Sequence, residues 1–205
     1  LILPAAYGLQ QSDLLWQKPI MALFMFTMFF GGGVIPSYLL IRNLKLLDTL
    51  WALVLPGAVS VYNMIVARTF FSNTIPAEVQ ESARIDGCGD FMTFIRIVLP
   101  LSKAIVAVLA LWYAVGMWNS YFSALIYIRD ASKYPLQMVL REILFRNQQL
   151  ANVLDGDPKT FEQLNRVSQL LRYVVMIVAS VPMLCAYPFV QKHFVKGVMI
   201  GSVKG

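Results

Sequence analysis

What this sequence has little of is charge. Of its 205 residues only 14% are Asp, Glu, Lys or Arg, while 58% are hydrophobic; a soluble globular chain is about one quarter charged. Histidine occurs once, at His193, and cysteine twice, at Cys88 and Cys185. A single histidine leaves little room for a Ser-His-Asp or Cys-His constellation, and two cysteines so far apart give neither a disulfide framework nor a metal motif. There is no G-x-x-x-x-G-K-[ST] loop to cradle the phosphates of a nucleotide. The chain is therefore expected to be non-catalytic, with no metal site and no nucleotide of its own. The opening has no initiator Met and no basic segment ahead of an apolar one, so it is not a signal peptide. Residues 1–12 are uncharged but too short to span a bilayer. They read as the end of an earlier helix, and an N-terminally truncated sequence is expected.

The missing charge is missing in blocks. Residues 19–41, 49–67, 104–128 and 173–191 contain no Asp, Glu, Lys, Arg or His, and each block is at least 19 residues long. At about 1.5 Å per helical residue, that approaches the roughly 30 Å hydrocarbon core. Four transmembrane helices are expected, within a single permease-like domain over 1–205. Between them lie a polar insert at 76–100, an external amphipathic region at 129–172 and a cytoplasmic tail at 192–205. The net charge of +6 sits in the connections, where contact with anionic headgroups explains it, so nucleic acid is not an expected partner. The positive-inside rule helps little, because most basic residues on the far side fall in one long region that counts less than short loops. It assigns the cytoplasm to the side holding 68–103 and the tail.

Within the spans, Gly31-Gly32-Gly33 weakens the first helix and lets a neighbouring backbone approach closely. A hinge and simple helix packing explain it equally well. Pro56-Gly57, Pro182 and Pro188 predict kinks. The third span is the most polar, with Trp118, Asn119 and Tyr121 together. Aromatic rings stack on sugar faces and an Asn amide bonds hydroxyls, which makes these three the candidates for a substrate path. The competing reading is the interfacial aromatic belt, which Asn119 fits least well. Cys185 reads as a packing residue.

Beyond the third span, Leu136, Val139, Leu140, Ile143 and Leu144 follow i, i+3, i+4, i+7, i+8, the stripe of an amphipathic helix, with Pro135 suited to its first turn. It is expected on the membrane surface or on its own bundle. Thr160-x-x-Gln163 reads as a capping box.

The insert is different in kind. Pro76 suits a helix start, and Glu78 and Glu81 favour its positive end. Gly87 can end that helix in the left-handed conformation, and Asp90 is expected as the N-cap of a second helix. That helix carries Phe91, Phe94, Ile95, Val98 and Leu99 on one face until Pro100 stops it. The first helix has small side chains with isolated charges, suited to another protein's cleft. A solvated loop would explain the charges but not two capped helices.

Glu81-Ser82-Ala83, three residues, Gly87, nine residues, Ile97-x-Leu99-Pro100 resembles the EAA motif of ABC importer permeases, E-A-A-x3-G-x9-I-x-L-P. Ser82 for the middle Ala is the one departure. By average residue usage the six matched positions coincide by chance on the order of once in ten million starts. The stretches "MWNSYFSALIYI", "YPLQ" and the tail "YPFVQKHFVKGVMIGSVKG" look like the carbohydrate branch, the maltose-permease-like subunits. The resemblance implies an all-α, polytopic membrane bundle of the type I ABC importer (MetI-like) kind in the bacterial plasma membrane. It also implies a coupling loop that docks in a groove of an ATPase subunit, carried here by Glu81, Ser82, Ala83, Arg84, Asp86, Gly87, Ile97, Leu99 and Pro100. Implied partners are a homologous second permease, two ATPase subunits holding ATP and Mg, and an extracytoplasmic solute-binding protein; the implied cargo is an oligosaccharide. An ion-coupled secondary transporter would place ionisable residues inside the membrane, and the four windows have none. A non-transporting scaffold is the remaining alternative.

Overall fold

A computed structural model describes residues 1–11, 13–153 and 158–201, with side chains outside 147–165 and 189–201. Every regular element among the described residues is helical. The chain forms two compact units, one of residues 1–40, 54–113 and 190–205, the other of 41–53 and 114–189.

The first unit is organised by α1 (Ile2–Gly8) against α5 (Val61–Thr74). Ala6 and Ala67 are fully buried, and such small residues let helix backbones approach closely. Met64 and Phe71 lie on the same stripe of α5 and are also fully buried. Tyr7 meets Phe71 edge-on at 6.5 Å. The end of α1 is tied by one atom: the Leu9 carbonyl accepts from Arg68 Nε at 2.9 Å and from Gln17 Nε2 at 2.6 Å. Gln17 opens α2 (Gln17–Phe29), so three helices meet at that oxygen.

Three of the four uncharged windows are not single helices. In the first, α2 gives way at Phe30–Gly33 to α3 (Val34–Asn43), and the two are bent by 112°. Gly33 has φ +81°, a conformation that side-chain-bearing residues resist, and its carbonyl accepts from Ser37 Oγ at 2.8 Å. In the second window, α4 (Trp51–Val54) and α5 are separated around Pro56-Gly57. Ser60 caps α5 by accepting from the Asn63 N–H, and the Tyr113 hydroxyl accepts from the Ser60 N–H at 3.2 Å. After α6 (Ala77–Ile85), α7 (Asp90–Thr93), a π-turn and α8 (Leu99–Leu101), the third window is α9 (Lys103–Trp118) and α10 (Tyr121–Tyr127), broken at Asn119-Ser120. Only the fourth window is unbroken. It lies inside α12 (Pro158–Gly201), where Arg166–Pro188 is by itself long and apolar enough to cross a membrane. Pro182 and Pro188 are carried within that helix. Phe26, Phe29, Phe30 and Ile35 are more than half exposed, as suits a surface that faces lipid or another membrane chain. Cys185, expected to be packed, is exposed on α12. Thr160 and Gln163, and the tail side chains from 192 onward, lie outside the described side chains.

The second unit is knotted at Asp48. This residue sits at φ +60°, where Asp is among the few side chains tolerated. Its carboxylate accepts from the Arg129 and Asp130 N–H groups, both at 3.0 Å, and its own N–H donates to the Tyr127 carbonyl at 2.9 Å. Lys133 Nζ donates to the Asp48 carbonyl at 2.9 Å and lies 3.4 Å from Asp130. These bonds, the backbone N–H of Asp130 first, hold the Asp48 carboxyl below its ordinary value of 3.8. A depressed folded-state value stabilises the fold above the unfolded value and is lost as pH falls through the folded one. Amide protection at Arg129 and Asp130 is accordingly expected to be flat from pH 7 to about 4 and to collapse below that. Protection factors from hydrogen exchange, corrected for intrinsic rates, check this; a flat profile to pH 2 would refute it.

The amphipathic stripe forms α11 (Leu136–Val153) after a 3₁₀ turn at Ala131–Lys133. Among its described side chains Met138 and Leu140 are buried, whereas Leu136, Val139 and Ile143 are more than a third exposed. The expected stripe is therefore mostly an outer face rather than a core face.

Candidate functional site

The polar insert folds as a helix, a glycine turn and a second helical run. The first helix is α6 (Ala77–Ile85), entered from Pro76 with Glu78 in its first turn. It ends in a Schellman motif. The Cys88 N–H donates to the Ala83 carbonyl at 2.9 Å and the Gly87 N–H to Arg84 at 3.0 Å, with Gly87 at φ +74°. The orphan carbonyls of Ala83 and Arg84 are thereby satisfied. The second run comprises α7 (Asp90–Thr93), a π-helical turn (Phe94–Val98) and α8 (Leu99–Leu101).

Three expectations are corrected here. The N-cap of the second helix is Gly89, and Asp90 is its first residue without a capping bond; Asp90 lies instead 3.6 Å from Arg84. Pro100 does not stop the helix. A proline ring collides with the carbonyl four residues back, and the wider π-turn just before it relieves that collision. The break comes at Ser102, where the run from Asp90 and α9 bend by 83°. The π-turn also shifts the register, so Phe94 and Val98 are buried while Phe91 and Ile95 are 75% and 43% exposed.

Those buried residues fasten the insert to the first unit's core. Phe94 packs on Tyr7 with ring centres 5.3 Å apart and planes tilted by 33°, and Val98 joins the cluster of α1 and α5. Ala83 is the buried residue of α6. Leu99 packs on the same core, Ile97 is half-buried and Pro100 is exposed. Arg84 binds the insert to the segment after α1: Nη1 donates to Asp13 Oδ2 at 2.8 Å and Nη2 to Gln11 Oε1 at 3.3 Å. Gln11 Nε2 donates in turn to Gln80 Oε1 at 3.1 Å. Asp13, by hydrogen bond and charge, and then Asp90 raise the Arg84 guanidinium above its ordinary value. An open cleft of about 430 Å³ lies beside this clasp, lined by Tyr7, Asp13, Arg84, Asp90 and Phe91 among others.

The outward surface carries Glu81, Ser82, Asp86 and Gly87, all exposed. It also carries Ile85, 86% exposed, which the motif does not single out. A large apolar side chain is thus left bare at the end of a small-residue helix, with Phe91 bare across the glycine turn. The clue was present in sequence: Ile85 is the one bulky aliphatic after Val79 in a helix otherwise small or charged.

The second unit brings two of the three substrate-path candidates together. Trp118 and Asn119 line an open cleft of about 640 Å³ with Gln137 of α11 and Met176, Ala179, Ser180, Met183 and Leu184 of α12. The Trp118 indole N–H donates to the Ala179 carbonyl at 3.0 Å, and Asn119 Nδ2 to its own helix at Val115, also 3.0 Å. Trp118 is thus also a brace between α9 and α12. Tyr121 is not in that cleft; it lies under Arg141, whose guanidinium carbon is 5.8 Å from its ring centre.

Comparison with known proteins follows the same line. Residues 12–200 match the family described as binding-protein-dependent transport system inner membrane component. The chain is 44% identical over 204 residues to the polygalacturonan/rhamnogalacturonan transport system permease protein YtcP of Bacillus subtilis (strain 168), covering 98% of this chain and 68% of that one. It is 46% identical over 200 residues to protein LplC of the same organism, covering 98% and 66%. A solved bacterial ABC transporter involved in the import of the acidic polysaccharide alginate superposes with a TM-score of 0.78 at 28% identity, covering 94% of this chain and 67% of that one. The chain spans about two thirds of the length of these relatives. The resemblance carried by the EAA-like motif is borne out, and so is the helical permease fold. By motif, fold and relatives alike, this chain belongs to the binding-protein-dependent transport system inner membrane component family.

Proposed function

We propose that this chain is the membrane-spanning permease subunit of an ATP-driven oligosaccharide importer and that residues 76–100 are its coupling loop. The observation that carries the reading is the build of the insert. Two short helical pieces are locked by a Schellman turn and pinned to the core through Phe94 and Val98, while Glu81, Ser82 and Ile85 are left outward. A locked element transmits displacement as a body, whereas a loose loop absorbs it. Taking a two-state transporter from 1:99 to 99:1 needs about 5.5 kcal/mol of differential binding, and rigid contacts made in one state are suited to supply it. The sequence has no phosphate-cradling loop, so ATP and Mg are assigned to two copies of a separate ATPase. A second, homologous permease and an extracytoplasmic solute-binding protein complete the assembly in the bacterial plasma membrane. The substrate path is assigned to the Trp118–Asn119 cleft.

Ser82 is exposed on α6, which makes it a site for a direct test. In the full-length protein with Cys88→Ser and Cys185→Ser, a Ser82→Cys variant carrying a short photo-crosslinker is expected to capture the ATPase subunit in membranes. ATP with vanadate should change the yield. Crosslinking to lipid alone, or uptake that survives ATP depletion and stops with an ionophore, would overturn the proposal in favour of an ion-coupled carrier.

A further inference from the structure

Arg141 has an arrangement that the coupling device does not use. It lies on α11 one turn beyond Gln137, so the two project from the same side of the helix, and Gln137 lines the cleft with Trp118 and Asn119. Its guanidinium carbon is 5.8 Å from the Tyr121 ring centre and 5.1 Å from that of Phe145. Aromatic rings against a guanidinium hold its plane and shed part of its hydration, while the N–H donors point outward along the edges in a fork that fits a carboxylate bidentately. No such partner faces it among the described residues. The neighbouring Glu142 is taken by Arg146, Asp130 by Ser132 and Lys133, and Asp48 by the turn it knots.

We propose that Arg141, held by Tyr121 and Phe145 beside the Trp118–Asn119–Gln137 cleft, receives the carboxylate of an acidic oligosaccharide, so that this permease carries uronate-containing chains in preference to neutral ones. The inference rests on the importer reading above and names the substrate class of its path. A neutral sugar gains little from a guanidinium fork; a sugar carboxylate gains a charge-assisted pair. Gln137 and the Asn119 carbonyl oxygen supply hydroxyl partners, and the Trp118 ring supplies a face for a pyranose. Polygalacturonan and alginate, named for a relative at 44% identity and for a structural neighbour, are both polyuronates.

The test uses the complete importer in proteoliposomes with labelled trigalacturonate and its fully methyl-esterified form, which has the same chain without charge. The affinity of the binding protein for each is measured separately and divided out. Wild type is expected to prefer the acid. Arg141→Gln should cut the acid-to-ester uptake ratio about tenfold, in line with a charged hydrogen bond, while Arg141→Lys recovers part of it. A general folding or assembly defect lowers both uptakes and leaves the ratio alone. An unchanged ratio in Arg141→Gln, or a wild type that carries only the ester, overturns the inference while leaving the importer reading intact. Uptake of neither sugar, with ATPase stimulation also absent, removes the importer reading and this inference together.

Discussion

Replacing Gly87 by valine is expected to lower ATP-driven uptake at least tenfold while the protein still reaches the membrane. Space is not the reason, because nothing lies within 4 Å of where a β-carbon would sit. Conformation is. Gly87 is at φ +74°, which costs an L-residue about 1–2 kcal/mol, and a β-branched one more. Since 1.4 kcal/mol is a factor of ten, the Schellman turn would yield to another geometry and α7 would leave its fixed angle to α6. Gly87→Asn, which tolerates the left-handed region far better, should restore most of the activity. Uptake and ATPase stimulation measured side by side give the answer. Valine at wild-type rate would mean that the angle between the two helices is not what transmits the stroke.

The second large effect is expected at Phe71. This side chain is fully buried where α5 meets α1, with Tyr7 edge-on at 6.5 Å. Phe71→Ala removes a ring that its surroundings cannot replace, a loss of about 3–5 kcal/mol for a buried Phe. For a chain of this size that is on the order of 10 °C in the thermal midpoint. Phe71→Leu should lose roughly half as much. Uptake should fall with stability, because Tyr7 also carries Phe94, so loosening α1 loosens the coupling element. Thermal scans of the purified assembly check the ranking; an unchanged midpoint for Phe71→Ala would show that the α1–α5 contact is not a stability element.

The sequence was most legible where local rules act alone. Gly87 announces a turn between two helices, because a left-handed cap depends on neighbours only, and the fixed spacing of Glu81, Ala83 and Leu99-Pro100 announces a family. The amphipathic 136–144 stripe gave its helix for the same reason. The register of the second coupling helix was not legible: a π-turn is a response to Pro100 and the core together, and it moved Phe91 and Ile95 outward. The breaks at Phe30–Gly33 and Asn119-Ser120 interrupt windows that composition alone reads as continuous, since hydropathy counts apolar residues without regard to direction. Arg84's acceptors, Gln11 and Asp13, are about 70 residues distant in sequence. Arg141 was invisible for a similar reason: its meaning comes from Tyr121, which belongs to a different helix.

The shared bond at Leu9 has a mechanical consequence. With Arg68 and Gln17 both spent on one carbonyl, any slide of α1, α2 or the middle of α5 past the others loads a bond at the same atom. That carbonyl is therefore a keystone that ties the end of α1, the start of α2 and the middle of α5 together. Compliance has to be found elsewhere along the chain, and the glycine corner at 30–33 and the proline-glycine gap at 55–59 are where the backbone is already unhitched from helical hydrogen bonding. A permease built this way is expected to deform at those two joints before the helices tied at Leu9 part.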